Sequence, residues 1–214
     1  MTELVIFDFD GTLGDTRQKI VAMLQRVMRE RGLPVAPDDA CSATIGIPLT
    51  EAFMQLFPDM TEAEAEACTE TYRVLFERYR KQLVPDLFPH VREVLSELQR
   101  RKVRMSIASS RTSASLWAFL GDMGLDGYFE YVIGAQDCAA HKPSPIPVLM
   151  TLEKLHVNAE NALIVGDMPV DILMGRNAGC RTVAVTYGNS NRADLVEAGA
   201  DYVIDDIAEL LQHL

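Results

Sequence analysis

Short apolar runs rich in β-branched residues punctuate this chain at Leu4–Phe7, 103–108, Tyr131–Ile133, 162–165, Arg181–Val185 and, more weakly, Tyr202–Ile204. Runs this short and this continuous predict strands buried on both faces. Between them the period changes: Val91, Val94, Leu95 and Leu98 share one helical face, and Val148, Leu149, Leu152 and Leu155 share another. Strand alternating with helix predicts an α/β fold, a Rossmann-like parallel sheet with helices on both faces.

Between Gly14 and Arg92 the alternation stops. No convincing strand is present there, but at least two periodic helices are. In the first, Ile20, Met23, Leu24, Val27 and Met28 lie on one face before Gly32 ends it. A later one opens with the capping-box pattern Thr61-x-x-Glu64 and continues with Cys68, Tyr72, Leu75, Phe76 and Tyr79 on one face. The economical reading is an all-helical domain, 16–83, inserted into a core made of 1–15 and 84–214. Pro85 and Pro89 stop helices in its return linker.

With 214 residues, 48% hydrophobic and 24% charged, the chain can build a real core, which excludes global disorder. Its 20 basic against 31 acidic residues give a net charge of −11. That field repels nucleic acid and anionic lipid, so neither is expected as a partner, and an anionic substrate would need a local cation. The cysteines, Cys41, Cys68, Cys138 and Cys180, are far apart and form no metal-ligand spacing, which favours a reducing compartment. The apolar run at the start lacks the length and basic flank of a signal peptide, and no segment has the length of a membrane span. A cytoplasmic protein is expected.

Candidate chemistry collects where strands end, the edge at which open α/β sheets bind ligands. The first run delivers Asp8 and Asp10, with Gly11 letting the backbone turn away. These acids could instead belong to an Asx-rich turn, with Asp15 or Thr16 capping the next helix. The run at 162–165 is followed by Gly166, Asp167, Pro169 and Asp171, where Asp171 alone could merely complement a helix dipole. Hard oxygen ligands from two strand tips make a plausible Mg²⁺ site. Lys142 is a candidate counter-charge, although a lone lysine is commonly a solvated surface residue. Ser109 and Ser110, ahead of Arg111, could receive phosphate oxygens or form an ordinary helix cap.

In order along the chain, Asp8-Phe9-Asp10-Gly11-Thr12, Ser109-Ser110, Lys142-Pro143 and Gly166-Asp167 with Asp171 resemble the haloacid dehalogenase-type hydrolase superfamily, in its branch with a helical cap inserted after the first motif. The stretch from Gly175 to Val183 is similar to phosphoglycolate phosphatase-like members. The resemblance implies that Asp8 attacks phosphorus to form an aspartyl-phosphate and that Asp10 moves the protons of both half-reactions. It further implies that Ser109, Ser110 and Lys142 bind the phosphoryl oxygens, and that Asp8, the backbone carbonyl of Asp10 and Asp167 hold Mg²⁺. Asp171 would orient Lys142 or metal-bound water. A cap loop containing Gly46, Ile47 and Pro48 would reach the site and select substrate; a turn opening a helix is the plainer reading of it.

The substrate implied is a small phosphorylated metabolite, phosphoglycolate first, handled by a monomer or homodimer. Inorganic pyrophosphate, a sugar-phosphate phosphatase or mutase activity, and a catalytically idle binding module are the alternatives. Asp10 argues against a dehalogenase. Three residues depart from the family pattern: Gly14 for a bulky apolar residue, His90 for glycine and Met168 for Ser or Thr. Among these, Gly14 would loosen the cap hinge, His90 would intrude near the site mouth and Met168 would remove a hydroxyl. Arg73, Arg78, Arg80 and Lys81 are read chiefly as a solvated helix face, and Trp117 as a packing group.

Overall fold

The computed structural model describes residues 2–214. Along the chain run β1 (Leu4–Phe7), β2 (Gly14–Asp15), α1 (Arg17–Glu30), α2 (Asp38–Ser42), α3 (Leu49–Leu56), α4 (Glu62–Leu83), β3 (Asp86–Leu87), α5 (Val91–Arg100), β4 (Arg104–Ala108), α6 (Ser113–Met123), β5 (Tyr131–Ile133), α7 (Ile146–Leu155), β6 (Ala162–Gly166), α8 (Pro169–Asn177), β7 (Arg181–Val185), α9 (Arg192–Glu197) and β8 (Tyr202–Ile204). They form two compact units, one of the residues up to Asp15 with Asp86–Leu214, the other Thr16–Pro85.

In the first unit a parallel six-stranded sheet has the order β5-β4-β1-β6-β7-β8. The chain therefore runs from β1 outward to β4 and β5 on one side and then crosses to build β6, β7 and β8 on the other, and this reversal beside β1 is where an open α/β sheet forms its ligand crevice. All of β1 is fully buried, which explains why its apolar run is continuous rather than alternating. Each such side chain contributes about 1.5–3 kcal/mol by leaving water. Phe7 pairs with Ile107 on one side and Val165 on the other, so the residues after β1, β4 and β6 emerge at one level. Asp8, Ser109 and Asp167 are among them.

Beyond β1 the chain turns sharply. The carbonyl of Phe9 accepts from the amides of Leu13 and Gly14, both at 3.0 Å, and Gly11 takes φ +94°, a conformation that side chains with a Cβ rarely adopt. The turn leads into β2, which pairs antiparallel with β3 through Gly14–Leu87 and Asp15–Asp86. This strand pair is not marked in the sequence, because a two-residue ladder is too short to show a hydrophobic period.

The second unit is helical. On α1, Val21, Met23, Leu24, Val27 and Met28 are buried, with Ile20 half-buried at the margin of that face. The capping box forms on α4: Thr61 Oγ1 accepts from the Glu64 amide and the Glu64 carboxylate accepts from the Thr61 amide at 2.8 Å. Cys68, Tyr72, Leu75 and Phe76 are buried along the same helix. Thr16 occupies the cap position of α1, yet its hydroxyl makes no capping bond. Gly46 and Ile47 lie in the turn before α3, and Pro48 occupies its cap position. Among the described residues, no helix is long and apolar enough to cross a membrane.

Candidate active site

Asp8 is the first residue past β1, and its amide donates to the Val165 carbonyl at 2.8 Å, which fixes where its side chain begins. Lys142 Nζ donates to Asp8 Oδ1 at 2.6 Å and to Asp171 Oδ1 at 2.6 Å. These side chains come from the residue just past β1, the loop after β5 and the first turn of α8. Lys142 is only 5% exposed, which overturns the solvated-surface reading. Asp171 does serve its helix end, since its Oδ2 accepts from the Met168 amide at 3.0 Å, but its other oxygen is committed to Lys142.

The electrostatics follow from burial. Desolvation pushes the Asp8 carboxyl well above the ordinary carboxylate range; Lys142 opposes this, and the neighbouring Asp171, Asp167 and Asp10 add to it. Burial draws the Lys142 ammonium down, but Asp171 and Asp8 outweigh it and hold the group above its ordinary value. Lys142 therefore stays charged, a fixed cation within a protein of net charge −11.

Asp167, fully buried at the end of β6, completes a cluster in which oxygens of Asp8, Asp167 and Asp171 lie within 4.8 Å of one another. Thr12 Oγ1 donates to its Oδ1 at 2.9 Å; the amide and Nδ2 of Asn189 donate to its Oδ2 at 2.8 and 2.9 Å. Burial, followed by the charge of Asp171, pushes the Asp167 carboxyl up to about 7 against the pull of these donors. Buried carboxylates outnumbering their one ammonium fit a small hard cation, and Mg²⁺ takes oxygen ligands with few carboxylates. Asp171 is paired with the Lys142 ammonium and its own helix end, whereas Asp167 is held only by neutral donors and keeps its charge for a cation. The set that fits is Asp8 and Asp167 with the Asp10 carbonyl, to which Asn189 Nδ2 also approaches at 3.4 Å.

The Asp10 side chain stands outside this acid cluster. It accepts from Arg111 Nε through both oxygens, at 2.9 and 2.7 Å, and both side chains are 12% exposed. Arg111 also lies over the Phe119 ring, 5.0 Å from its centroid. Thus neither Asp8 nor Asp10 serves as a helix cap. Nor do Ser109 and Ser110: α6 is capped by Thr112, whose hydroxyl accepts from the Ser115 amide at 3.2 Å. Ser109 is buried, its amide bonds the Ile133 carbonyl at 3.1 Å, and with Ser110, Gly134, His141 and Lys142 it lines one pocket.

Arg111, Thr12 and Asn189 were not singled out as site residues by sequence. Their signal was position, since each follows a strand tip of the same sheet. His90 takes φ +63°, the left-handed conformation that favours glycine. Its Nδ1 pairs with Asp206 Oδ2 at 2.7 Å, which gives the ring a partner other than the pocket lining. Arg73 is exposed beside Glu70, as a solvated helix face requires.

The sequence matches the haloacid dehalogenase-like hydrolase family over residues 5–185. A protein named Probable phosphatase IndB from Dickeya dadantii is 35% identical, with 99% of this chain and 93% of that protein covered. Pyrophosphatase PpaX from Oceanobacillus iheyensis is 31% identical over 97% of this chain and 94% of its own, and the phosphoglycolate phosphatase of Haemophilus influenzae is 30% identical over 99% and 98%. In three dimensions, a chain from Bacteroides fragilis assigned to the haloacid dehalogenase-like hydrolases superposes with a TM-score of 0.93 at 28% identity, covering 98% of this chain and all of that one. Strand-tip acids, a buried lysine and full-length likeness lead to one conclusion: the chain belongs to the haloacid dehalogenase-like hydrolase family, in the company of its phosphatases.

Proposed function

We propose that this protein is a Mg²⁺-dependent phosphatase that hydrolyses a small phosphate monoester through an aspartyl-phosphate on Asp8. The observation that carries the reading is Lys142 held at 2.6 Å from both Asp8 and Asp171 in a buried, acid-rich cluster at the sheet's ligand edge. A carboxylate nucleophile splits one difficult displacement into two easier ones. An Asp8 oxygen attacks phosphorus, the ester P–O bond breaks, and the departing alkoxide takes a proton from Asp10. Asp10 then takes a proton from water as that water attacks phosphorus, and phosphate leaves with Asp8 restored. Lys142, Ser109 and Ser110 bind the transferring phosphoryl oxygens, and Asp171 keeps Lys142 in place. Bound Mg²⁺, held by Asp8, Asp167 and the Asp10 carbonyl, would supply neutralisation of phosphoryl charge.

Phosphoglycolate is the first candidate substrate, because the Haemophilus influenzae relative carries that activity in its name and aligns over 98% of its length. Pyrophosphate is second, on the likeness to PpaX. The loop of Gly46, Ile47 and Pro48 is our candidate for the selector between them. A panel of phosphorylated metabolites, assayed with Mg²⁺ and with chelator, tests the reading. Turnover that needs Mg²⁺ and disappears in Asp8→Asn supports it, and substitutions at Gly46–Pro48 should reorder the panel. No turnover of any member would favour the idle binding module.

A further inference from the structure

Asp167 is held by more than its own strand. Its Oδ1 accepts from Thr12, in the loop after β1, and its Oδ2 accepts twice from Asn189, in the loop after β7. A carboxylate turns about a broad, two-fold torsion unless donors pin its oxygens. Here Oδ2 has both lone-pair directions taken, while Oδ1 accepts from Thr12 and keeps a second direction to give. The same Asn189 Nδ2 lies 3.4 Å from the Asp10 carbonyl, so one amide group ties the Asp167 carboxylate, through the oxygen turned away from the cation, to a second group assigned above to that cation.

The loop that presents Asn189 is itself wedged in place. Tyr187 is bonded through its hydroxyl to the Thr12 carbonyl at 2.8 Å and packs on Phe88 with ring centroids 4.6 Å apart. At Gly188 an added Cβ would fall 2.3 Å from the Asp167 Cβ and 2.5 Å from the Gly11 carbonyl oxygen, so the two backbones meet with no room for a side chain. Such contact fixes the distance from residue 189 to Asp167.

We propose that Asn189 is a positioning residue for the divalent cation: it sets the rotation of the Asp167 carboxylate and its spacing from the Asp10 carbonyl, and so tunes affinity and selectivity for Mg²⁺. The inference rests on the Mg²⁺ reading above. Asn189 touches no reacting atom; it acts through Asp167. Partners behind metal-holding carboxylates typically matter by 10–100-fold in metal affinity. A carboxylate free to turn also suits Ca²⁺, which accepts bidentate and irregular coordination, better than Mg²⁺, which demands near-octahedral geometry.

Asn189→Ala retains the backbone N–H bond and removes the amide. Titration calorimetry with MgCl₂ and CaCl₂, on substrate-free protein stripped of metal, is the test. The expected result is a Mg²⁺ Kd weakened about tenfold, with Ca²⁺ binding weakened less. A lower unfolding temperature with both affinities unchanged would mean the amide is only a structural tie, and would overturn the proposal while leaving the Mg²⁺ reading intact. If the wild-type protein binds no Mg²⁺, both fall. Should Asn189→Ala fail to fold, Asn189→Ser, whose hydroxyl is too short to reach both oxygens, carries the same expectation.

Discussion

Lys142 lies 2.6 Å from Asp8 and 2.6 Å from Asp171, and on α5 Glu97 lies 2.7 Å from Arg100 and 2.6 Å from Arg101. By bond length the two clusters are alike. They differ in surroundings: the Lys142 group is 9% exposed or less throughout, whereas Glu97, Arg101 and Arg100 are 24%, 40% and 72% exposed. In water, Glu97 is simply held low, to about 2, by hydrogen bonds from Arg100 and Arg101. Under the sheet edge, burial works against ionisation, and Asp8 and Asp167 are pushed up instead. Desolvating charges in this way can cost more than their attraction returns, so the buried cluster is not there for stability. A cost retained at a ligand-binding edge is what catalytic sites commonly show.

The largest effect expected from this contrast is at Lys142. Lys142→Met leaves Asp8 and Asp171 buried without their cation, and loss of one partner from a buried ion pair typically costs about 3–5 kcal/mol. Urea unfolding should show a loss of that size together with loss of phosphate release. A variant as stable as the parent would mean that the acids relax by protonation or by reaching solvent.

Asp10→Asn should slow turnover of alkyl phosphates about 10²–10⁴-fold, since it removes proton transfer, and should also lower stability, since it leaves the largely buried Arg111 without its carboxylate while the acid cluster stays intact. With p-nitrophenyl phosphate, whose leaving group needs no proton, burst kinetics should show formation of the intermediate partly rescued and its hydrolysis still slow. Equal rescue of both steps would contradict the role given to Asp10.

Smallest is the surface cluster. Glu97 is lowered in the folded state relative to an unfolded value near 4.3, so its contribution is present above roughly pH 4 and is lost as pH falls through about 2. Glu97→Gln should therefore lower the unfolding midpoint slightly at pH 7, and the difference should close as the pH approaches 2. A large effect at pH 7 would show that this exposed pairing carries more than its solvation allows.

Where the chain is buried on both sides, the fold was legible: β1 and β5 begin and end at the residues the apolar runs mark, and β6 extends one residue further. Asp8 and Asp167 were legible because strand ends place acids at the ligand edge. Pairings across the chain were not. Arg111 reaches Asp10 over 101 residues and Asn189 reaches Asp167 over 22, and neither partner is marked by local pattern. Thr112 caps α6 within a Ser/Thr-rich stretch where several hydroxyls were equally placed by type. Trp117, read as a packing group, is 40% exposed, at the margin of the α6 face that buries Leu116, Phe119 and Leu120.

The central claim is that the buried cluster exists to let Asp8 take a phosphoryl group. Turnover of a ³²P-labelled substrate from the panel, quenched in acid within milliseconds and followed by peptide mapping, tests it most directly. The account predicts label on the peptide carrying Asp8, released by hydroxylamine as an acyl phosphate is, and absent in Asp8→Asn. Rapid turnover with no labelled peptide, label on another residue, or undiminished phosphate release by Asp8→Asn would contradict it.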